Sequence, residues 1–550
     1  MPASVSTRTR TPTAPLRPWQ VRALAAMEGW RDGSFLVSAA PGAGKTRPAI
    51  EQARRLLGSG SISRVVLVCP TTPLTRQWAL AAGRLSLHLM PDADGPRPPR
   101  DFQGVAVTYA RIASNPQAWA RGCTPDTLVI ADEAHHLGEE LAWGDGFALA
   151  FGAAQRRLLL SGTPFRSDAT PIPGVDYGSD GVCVPDVSYS YAEAVRDGVC
   201  RPVAFVTYDG TLSWRSGDDV IEAGFDTVLT GREAGRRYRT AISTELPDGL
   251  PRILREAHDR LRGLRAGGHR DAGGLVIAAD GTHARQIAKL LREVTGKAPT
   301  VVLHTEAEAA KTLQTFTASR EEWIVAVNMV SEGVDIPRLR VGVYATAAKT
   351  PLVFRQIVGR FVRTIAGRPQ ELSWLYLPAD PVLRQHAANV ETELRHVLKL
   401  RTEPQDGEWD DEPRERQAAE DAEPPAEFVP LAADVAPQMA LFGPPPGSPG
   451  GSPAPRVVAP RAFPGAVEQP AAPTRAARRP ELTAFERRAL LRDKRHSLVS
   501  ELRRRDGRAQ REINAWLNRE VGVAKVADAT IAQLERSCEL LLDELTGARR

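Results

Sequence analysis

Cysteine is scarce in this chain, and the few that occur are scattered. Cys69, Cys123, Cys183, Cys200 and Cys538 form no C-x-x-C pair, which speaks against a disulfide framework and a zinc site alike and leaves reduced, structural thiols as the expectation. Long apolar runs are missing too. No stretch approaches the ~18 apolar residues of a membrane span, and the Ser/Thr/Arg/Pro-rich N-terminus lacks an apolar h-region, so neither insertion nor export is expected. A cytoplasmic location, in a bacterium or in the host of a virus, follows by default. An excess of one charge is absent as well: 71 Lys and Arg against 66 Asp and Glu give a net charge of +5, which permits an anionic partner without demanding one. High Ala, Arg, Pro and Gly content points to a GC-rich genome. What the chain does have is apolar material, 42% of its 550 residues. That is enough for roughly two to four domains with proper cores.

The stretch around which the rest is organised is Ser38-Ala39-Ala40-Pro41-Gly42-Ala43-Gly44-Lys45-Thr46, set between the apolar run Phe35-Leu36-Val37 and a helix-compatible segment, Arg47 to Leu57. This reads as strand, phosphate loop, helix. Small residues let the backbone wrap closely enough for successive N–H groups to face phosphate oxygens, and the helix N-terminus adds positive potential. Lys45 is then placed for the β/γ-phosphates and Thr46 for Mg²⁺, with Pro41, Gly42, Ala43 and Gly44 shaping the cradle. The pattern departs from its strict form at Ala39, where glycine is usual.

Residues 1–13 have nothing to bury and read as a flexible arm. Beyond them, non-alternating Val/Leu/Ile runs at Arg64–Cys69, Val105–Thr108, Thr127–Ala131 and Arg157–Leu160 read as buried parallel strands between helices, giving one doubly wound α/β domain over 14–200. A second such series over 201–402 has candidate strands at Val203–Tyr208, Leu275–Ala279, Thr300–Leu303, Trp323–Val327, Val341–Tyr344 and Leu372–Leu377, with helices at Thr282–Val294 and Val353–Thr364. Two α/β domains in tandem suggest a nucleotide cleft between them. Residues 403–480, acidic and then rich in Pro, Ala and Gly, read as a disordered linker. Helical spacing returns over 481–550, with candidate helices at 483–505, 508–520 and 530–545 and a turn at Val521-Gly522-Val523.

At Leu128-Val129-Ile130-Ala131-Asp132-Glu133-Ala134-His135-His136 a buried strand runs directly into two carboxylates. Such a pair can be no more than a solvated helix start; behind a phosphate loop it fits Asp132 holding Mg²⁺ and Glu133 activating the attacking water. Asp-Glu-Ala-His downstream of a phosphate loop resembles the DEAD/DEAH-box helicases and translocases of superfamily 2, and the likeness spans about residues 14 to 402. It is closest to the DNA-directed branch with type III restriction-enzyme motor subunits and excision-repair-type helicases. The resemblance implies two RecA-like domains, ATP and Mg²⁺ as cofactors, and nucleic acid, most readily DNA, as partner.

Further roles follow from the same resemblance. Leu16-Arg17-Pro18-Trp19-Gln20 looks like a Q-motif, so that Gln20 reads adenine. Cys69 to Trp78 and Val107 to Arg111 look like strand-end grips on the nucleic-acid backbone, with Thr71, Arg76, Thr108 and Arg111 as contacts. Ser161-Gly162-Thr163 resembles the coupling motif, reached from the acid pair through His135, and Ser331 to Pro337, with Gly333 and Asp335, resembles a motif touching both ATP and nucleic acid. In Phe354 to Arg363, the spacing of Gln356, Arg360 and Arg363 puts all three on one helical face, two of them as arginine fingers. The expected reaction is ATP hydrolysis coupled to movement on DNA, with an RNA helicase, a motor subunit of a restriction complex, or a non-catalytic binding module as rivals. The C-terminal module carries ten Lys/Arg against three Asp/Glu between Arg487 and Arg511. A basic helical stripe of this kind fits either phosphate binding or a solvated face, and a protein partner is open too.

Overall fold

The computed structural model describes residues 15–139, 141–162, 174–178, 183–216, 218–229, 231–303, 306, 308–327, 336–365, 368, 371–399, 428–439 and 482–546. Of these, 15–39, 44–188 and 482–546 form one compact unit, and 40–43 and 189–439 form a second.

The first unit is built on strands β1 (Gly33–Ala39), β2 (Arg64–Cys69), β3 (Leu89–Pro91), β4 (Gly104–Thr108), β5 (Thr127–Asp132), β6 (Arg156–Ser161) and β7 (Val187–Tyr189), in the order β3-β4-β2-β5-β6-β1-β7. Strands β1 to β6 pair in parallel throughout. The apolar runs become the central strands because both faces are covered: every residue of β5 is buried, and so is all of β2 after Arg64. Helix α1 (Pro18–Ala26) precedes β1, helices α2 (Thr46–Gly58), α3 (Thr72–Arg84) and α4 (Tyr109–Ser114) lie between strands, and α4 starts where the Thr108 hydroxyl accepts the Arg111 N–H. Parallel strands bring their C-terminal ends to one edge. Read along the sheet, that edge presents Thr108 after β4, Thr71 after β2, Asp132 and Glu133 at β5, Ser161 at β6 and the phosphate loop after β1.

In the second unit, strands β8 (Val203–Ser216), β9 (Asp219–Ala223), β10 (Gly273–Ala278), β11 (Thr300–Val302), β12 (Trp323–Ala326), β13 (Leu339–Ala345), β14 (Ser373–Pro378) and β15 (Phe428–Met439) form an eight-stranded sheet in the order β11-β12-β10-β13-β14-β8-β15, with β9 beside β8. The pairs from β11 to β8 are parallel. Strands β9 and β15 pair antiparallel to β8. The two units are thus parallel-sheet α/β domains of the tandem RecA-like type.

Three features correct the sequence reading. Strand β15 lies inside what composition marks as disordered linker; the rest of 403–480 falls outside the described residues. Composition missed it because β8 is longer than its apolar core and leaves an open edge, which a strand that over residues 429–437 buries only Ala433 and Val435 can cover. Pro430 and Pro437 are tolerated there because β15 is the edge strand. Next, the helix expected to run through Thr364 ends at Phe361. Arg363 instead bridges Cys200 in extended backbone, Arg201 N–H donates to the Val362 carbonyl at 2.6 Å and the Thr364 hydroxyl to the Val199 carbonyl at 3.1 Å, so these pairings win over further helix.

The third concerns the C-terminal helices, Ala484–Asp506, Gln510–Glu520 and Ile531–Thr546, which match their expected bounds within two residues but belong to the first unit rather than hanging free from it. They close on a core of Val499, Leu502, Ile513, Leu517, Leu540 and Leu541. Thr483, which caps the first of them, packs so tightly on Gly83 of α3 that a Cβ there would lie 2.8 Å from its methyl group. The Arg488 guanidinium sits 5.8 Å from the Phe102 ring centre and donates to Met90 Sδ at 3.5 Å, and Ile531 N–H donates to Asp101 Oδ2 at 2.6 Å.

Candidate nucleotide and nucleic-acid site

The phosphate loop turns through two left-handed glycines, Gly42 at φ +80° and Gly44 at φ +86°. Gly44 is required twice over, since a Cβ there would also stand 3.1 Å from Gln20 Nε2. Gln20 is buried, donates from Nε2 to the Gly44 carbonyl at 3.0 Å and accepts the Arg17 N–H on Oε1 at 2.9 Å. Both ends of its amide therefore brace the loop against α1. Helix α2 follows with Lys45 at its start, and the Lys45 side chain does not cap it.

Lys45 Nζ lies 3.3 Å from Glu133 Oε1, and the other Glu133 oxygen lies 3.6 Å from His135 Nδ1. His135 is buried and its Nδ1 is 3.4 Å from the Ser161 hydroxyl at the end of β6. Glu133 itself has φ +51°, a left-handed conformation that costs a non-glycine residue about 1 to 2 kcal/mol. The strain sits where β5 ends and turns this side chain back towards Lys45.

The two carboxylates differ. Burial pushes the Asp132 carboxyl up, and the neighbouring Glu133 charge adds to it, against weaker help from Lys45 and Trp78. Burial would raise Glu133 as well, but Lys45, His135 and His136 together hold it below the usual carboxylate range. Glu133 is the group kept ionised by a cation. Among the described residues Asp132 accepts hydrogen bonds from neutral donors, the Trp78 indole at 2.7 Å on Oδ2 and the Glu133 N–H at 3.1 Å on Oδ1. A buried carboxylate with no cation bonded to it among the described residues, on the same sheet edge as the loop that leads to Thr46, is a donor set that suits Mg²⁺, an ion that takes one or two carboxylates and leaves other positions to phosphate and water. Glycines that admit close backbone approach complete the fit for a nucleotide. Among the described residues no cluster of three or more His, Cys, Asp or Glu forms a protein-only metal cage.

One and two strands away from β5 on the same edge stand the candidate nucleic-acid contacts. Thr71 precedes α3 and Thr108 caps α4, and the strands that carry them pair at Cys69 and Thr108. Arg76 and Arg111 are exposed but engaged, Arg76 Nε with Asp92 Oδ2 at 2.8 Å and Arg111 with Asp94. Any phosphate they take has to displace a carboxylate. Gly162 follows β6, while Thr163, Gly333 and Asp335 lie outside the described residues. In the second unit Gln356 and buried Arg360 share the helix Pro351–Phe361 and Arg363 does not.

Two participants that the motifs contain were given no role from sequence. Trp78 holds Asp132 Oδ2, and the Tyr109 hydroxyl donates to the Asp132 carbonyl at 2.8 Å. The signal for Trp78 was present: a tryptophan on the buried face of a helix needs an acceptor for its N–H, and β2, which leads into that helix, pairs with β5.

Comparison with known proteins bears on this geometry directly. The family model "Type III restriction enzyme, res subunit" matches residues 13–166, and "Helicase conserved C-terminal domain" matches 264–364. The chain belongs to the superfamily 2 helicases of restriction-enzyme type. Over 438 residues it is 43% identical to "Uncharacterized protein Rv2917" of Mycobacterium tuberculosis, covering 78% of this chain and 72% of that one. Over 405 residues it is 43% identical to "Uncharacterized protein ML1624" of Mycobacterium leprae, covering 72% and 67%. Among solved structures it is similar to the ATP-dependent Type ISP restriction-modification enzyme LlaBIII bound to DNA, at TM-score 0.44 and 16% identity, over 70% of this chain and 30% of that one. The family assignment rests on the sequence matches, and the fold on the sheets themselves. No described helix of this helicase is long and apolar enough to cross a membrane.

Proposed function

We propose that this helicase is an ATP-dependent translocase on DNA. The observation that carries the reading is one sheet edge on which Lys45 meets Glu133 beside Asp132, and Thr71 and Thr108 stand one and two strands further along. A motor needs its nucleotide and its track to act on one rigid body, and adjacent strand ends of one parallel sheet supply that.

In this reading Lys45 and the amides at the head of α2 hold the β- and γ-phosphates, and Thr46 and Asp132 hold Mg²⁺. The ion, when bound, offsets phosphate charge. Glu133, ionised in its resting contact with Lys45, exchanges that partner for water, orients it and takes its proton. His135 carries the change at Glu133 to Ser161, Gly162 and Thr163. Gln20 braces the loop as nucleotide enters and reads its base, Gly333 and Asp335 contact the nucleotide, and Gln356, Arg360 and Arg363 supply positive charge to the transition state from the second domain. Thr71, Arg76, Thr108 and Arg111 hold backbone phosphates, which suits a motor indifferent to sequence. The C-terminal bundle adds grip or recruits a protein, and the cytoplasm is where such a motor meets its track.

An RNA helicase on the same scaffold is the second reading, since phosphate contacts discriminate sugars only through the 2′-hydroxyl. Turnover of ATP measured with single-stranded DNA, duplex DNA and RNA separates the two. DNA is expected to stimulate well above RNA, and stimulation by RNA alone overturns the DNA reading.

A further inference from the structure

Asp132 is held by a residue from the helix that carries the candidate nucleic-acid grip. Trp78 is buried at 3% exposure on α3, and its indole N–H donates to Asp132 Oδ2 at 2.7 Å. The same helix begins at Thr71 and Thr72, and its Arg76 stands exposed one turn in. Thr75, three residues before Trp78 and therefore on its face, is tied by its hydroxyl to Asp92 Oδ1 at 2.7 Å, the carboxylate that also holds Arg76. Only about 9 Å of helix, six residues at ~1.5 Å each, separates Thr72 from Trp78. Anything that engages the first turn of α3 and releases Arg76 from Asp92 acts on a rigid rod whose next turn ends on Asp132.

We propose that Trp78 is a positioning residue that fixes the Asp132 carboxylate for Mg²⁺ and couples it to nucleic acid held at the start of α3. The proposal rests on the motor reading above. An indole suits the task because it donates one hydrogen bond and brings no charge. A lysine or arginine in its place would compete with the cation for the same oxygen, whereas the indole orients the carboxylate and leaves its charge available. With Oδ1 on the Glu133 N–H and Oδ2 on Trp78, the carboxylate has one rotamer, and a shift of α3 is a shift of that rotamer.

The test compares wild type, Trp78→Phe, which keeps a ring in the core and removes the donor, and Asp132→Asn. Two readouts do not depend on turnover: the binding of Mg²⁺ at saturating ADP, and the indole N–H signals of the ten tryptophans in ¹⁵N-Trp-labelled protein. Trp78→Phe is expected to raise half-saturating Mg²⁺ roughly tenfold or more, as loss of an outer-shell partner does, while single-stranded DNA affinity stays at the wild-type value and DNA stimulation of turnover falls. In the wild-type spectrum one indole signal should move with Mg²⁺ and ADP and should move again in Asp132→Asn. An unchanged Mg²⁺ midpoint in folded Trp78→Phe overturns the proposal. Should that variant fail to fold, indole signals that ignore both Mg²⁺ and Asp132→Asn overturn it instead. A wild type that no nucleic acid stimulates overturns the motor reading itself, and that is seen before any variant is made.

Discussion

The two α/β domains both bury ionisable side chains and use them in opposite ways. In the first, Lys45, Glu133 and His135 meet at the C-terminal edge of the sheet and contact one another. In the second, Arg201, Arg338, Arg340 and His269 are buried around the starts of β8, β10 and β13, and the arginines donate largely to main-chain carbonyls: Arg201 to Pro337 at 3.0 Å, Arg338 to Phe316 at 2.7 Å, Arg340 to Leu372 at 3.2 Å. Arg340 also pairs with Glu371 and donates to His269 Nδ1 at 2.8 Å. Burial, with Arg201 and Arg368 nearby, brings Arg340 down to about 9, and burial, with Arg340 nearby, brings His269 down to about 4. A perturbed ionisation is therefore no signature of a site by itself. What separates the two groups is where the hydrogen bonds go: into backbone they fix loops, and into one another at a strand edge they can be exchanged for a ligand.

The largest effects belong on the first side of that contrast. Lys45→Ala should abolish ATP turnover, and Glu133→Gln should retain nucleotide and lose about a hundred- to ten-thousandfold in rate, the range for a general base. Both should keep a thermal midpoint close to wild type, measured by calorimetry alongside turnover. Turnover at the wild-type rate in either variant would move the site elsewhere.

Two arginines of the second domain sharpen the contrast next. Arg360 and Arg340 are both buried, at 8% and 1% exposure. If Arg360 serves the transition state, Arg360→Ala should cost about a thousandfold in turnover with nucleotide affinity and melting little changed. Arg340→Met should instead lower stability by about 2 to 3 kcal/mol, because it strands the Leu372 carbonyl and the Glu371 carboxylate, and should leave the rate per folded molecule intact. A stable Arg340→Met enzyme with a depressed rate would break the distinction between scaffold and site.

How much of this was legible beforehand follows the same physics. The phosphate loop, the acid pair and the strands that carry them stand out because each is a local pattern: small residues, then a lysine, or a fully apolar run ending in two carboxylates. The Trp78 to Asp132 bond is not local. It links positions 54 residues apart, and only the pairing of β2 with β5 brings them together. Strand β15 was hidden for a different reason, since its own composition argues for disorder and the cause of its order lies in the open edge of β8. The spacing of Gln356, Arg360 and Arg363 was read as one helical face, and the sequence carries no mark of the Cys200 to Arg363 bridge that ends the helix first. The hydrogen bonds of the Gln20 amide to the Arg17 N–H and the Gly44 carbonyl were not legible either, because they need α1 and the phosphate loop brought together.

The C-terminal bundle repeats the contrast on a smaller scale, within one basic run. Of its ten cations, five are engaged within the bundle: Arg487 pairs with Glu535, Arg488 donates to the Ala527 carbonyl at 2.6 Å, Arg495 donates to Asn514 at 2.9 Å, Arg505 donates to the Leu545 carbonyl, and Arg508 pairs with Asp506 and Glu544. Arg492, Lys494, Arg503, Arg504 and Arg511 are exposed, and their side chains make no hydrogen bond or ion pair with any described residue. Counting charges in the sequence therefore overstates the number of uncommitted cationic side chains by a factor of two. Because the bundle is seated on α3, β3 and Phe102, cutting it away would uncover packed surface, so the informative change is neutralisation in place. Replacing those five by Gln should leave melting near wild type. If they hold phosphates, each lost contact reduces the slope of log K against log salt by about 0.7 to 0.9, so DNA affinity across a salt series should fall and flatten by at most five such steps. Nucleotide turnover at saturating DNA should change little, since the site on the sheet edge is untouched. Identical slopes for the two proteins would assign these residues to a solvated face or a protein partner, and the docked bundle would then act through its seat on α3 rather than through its charge.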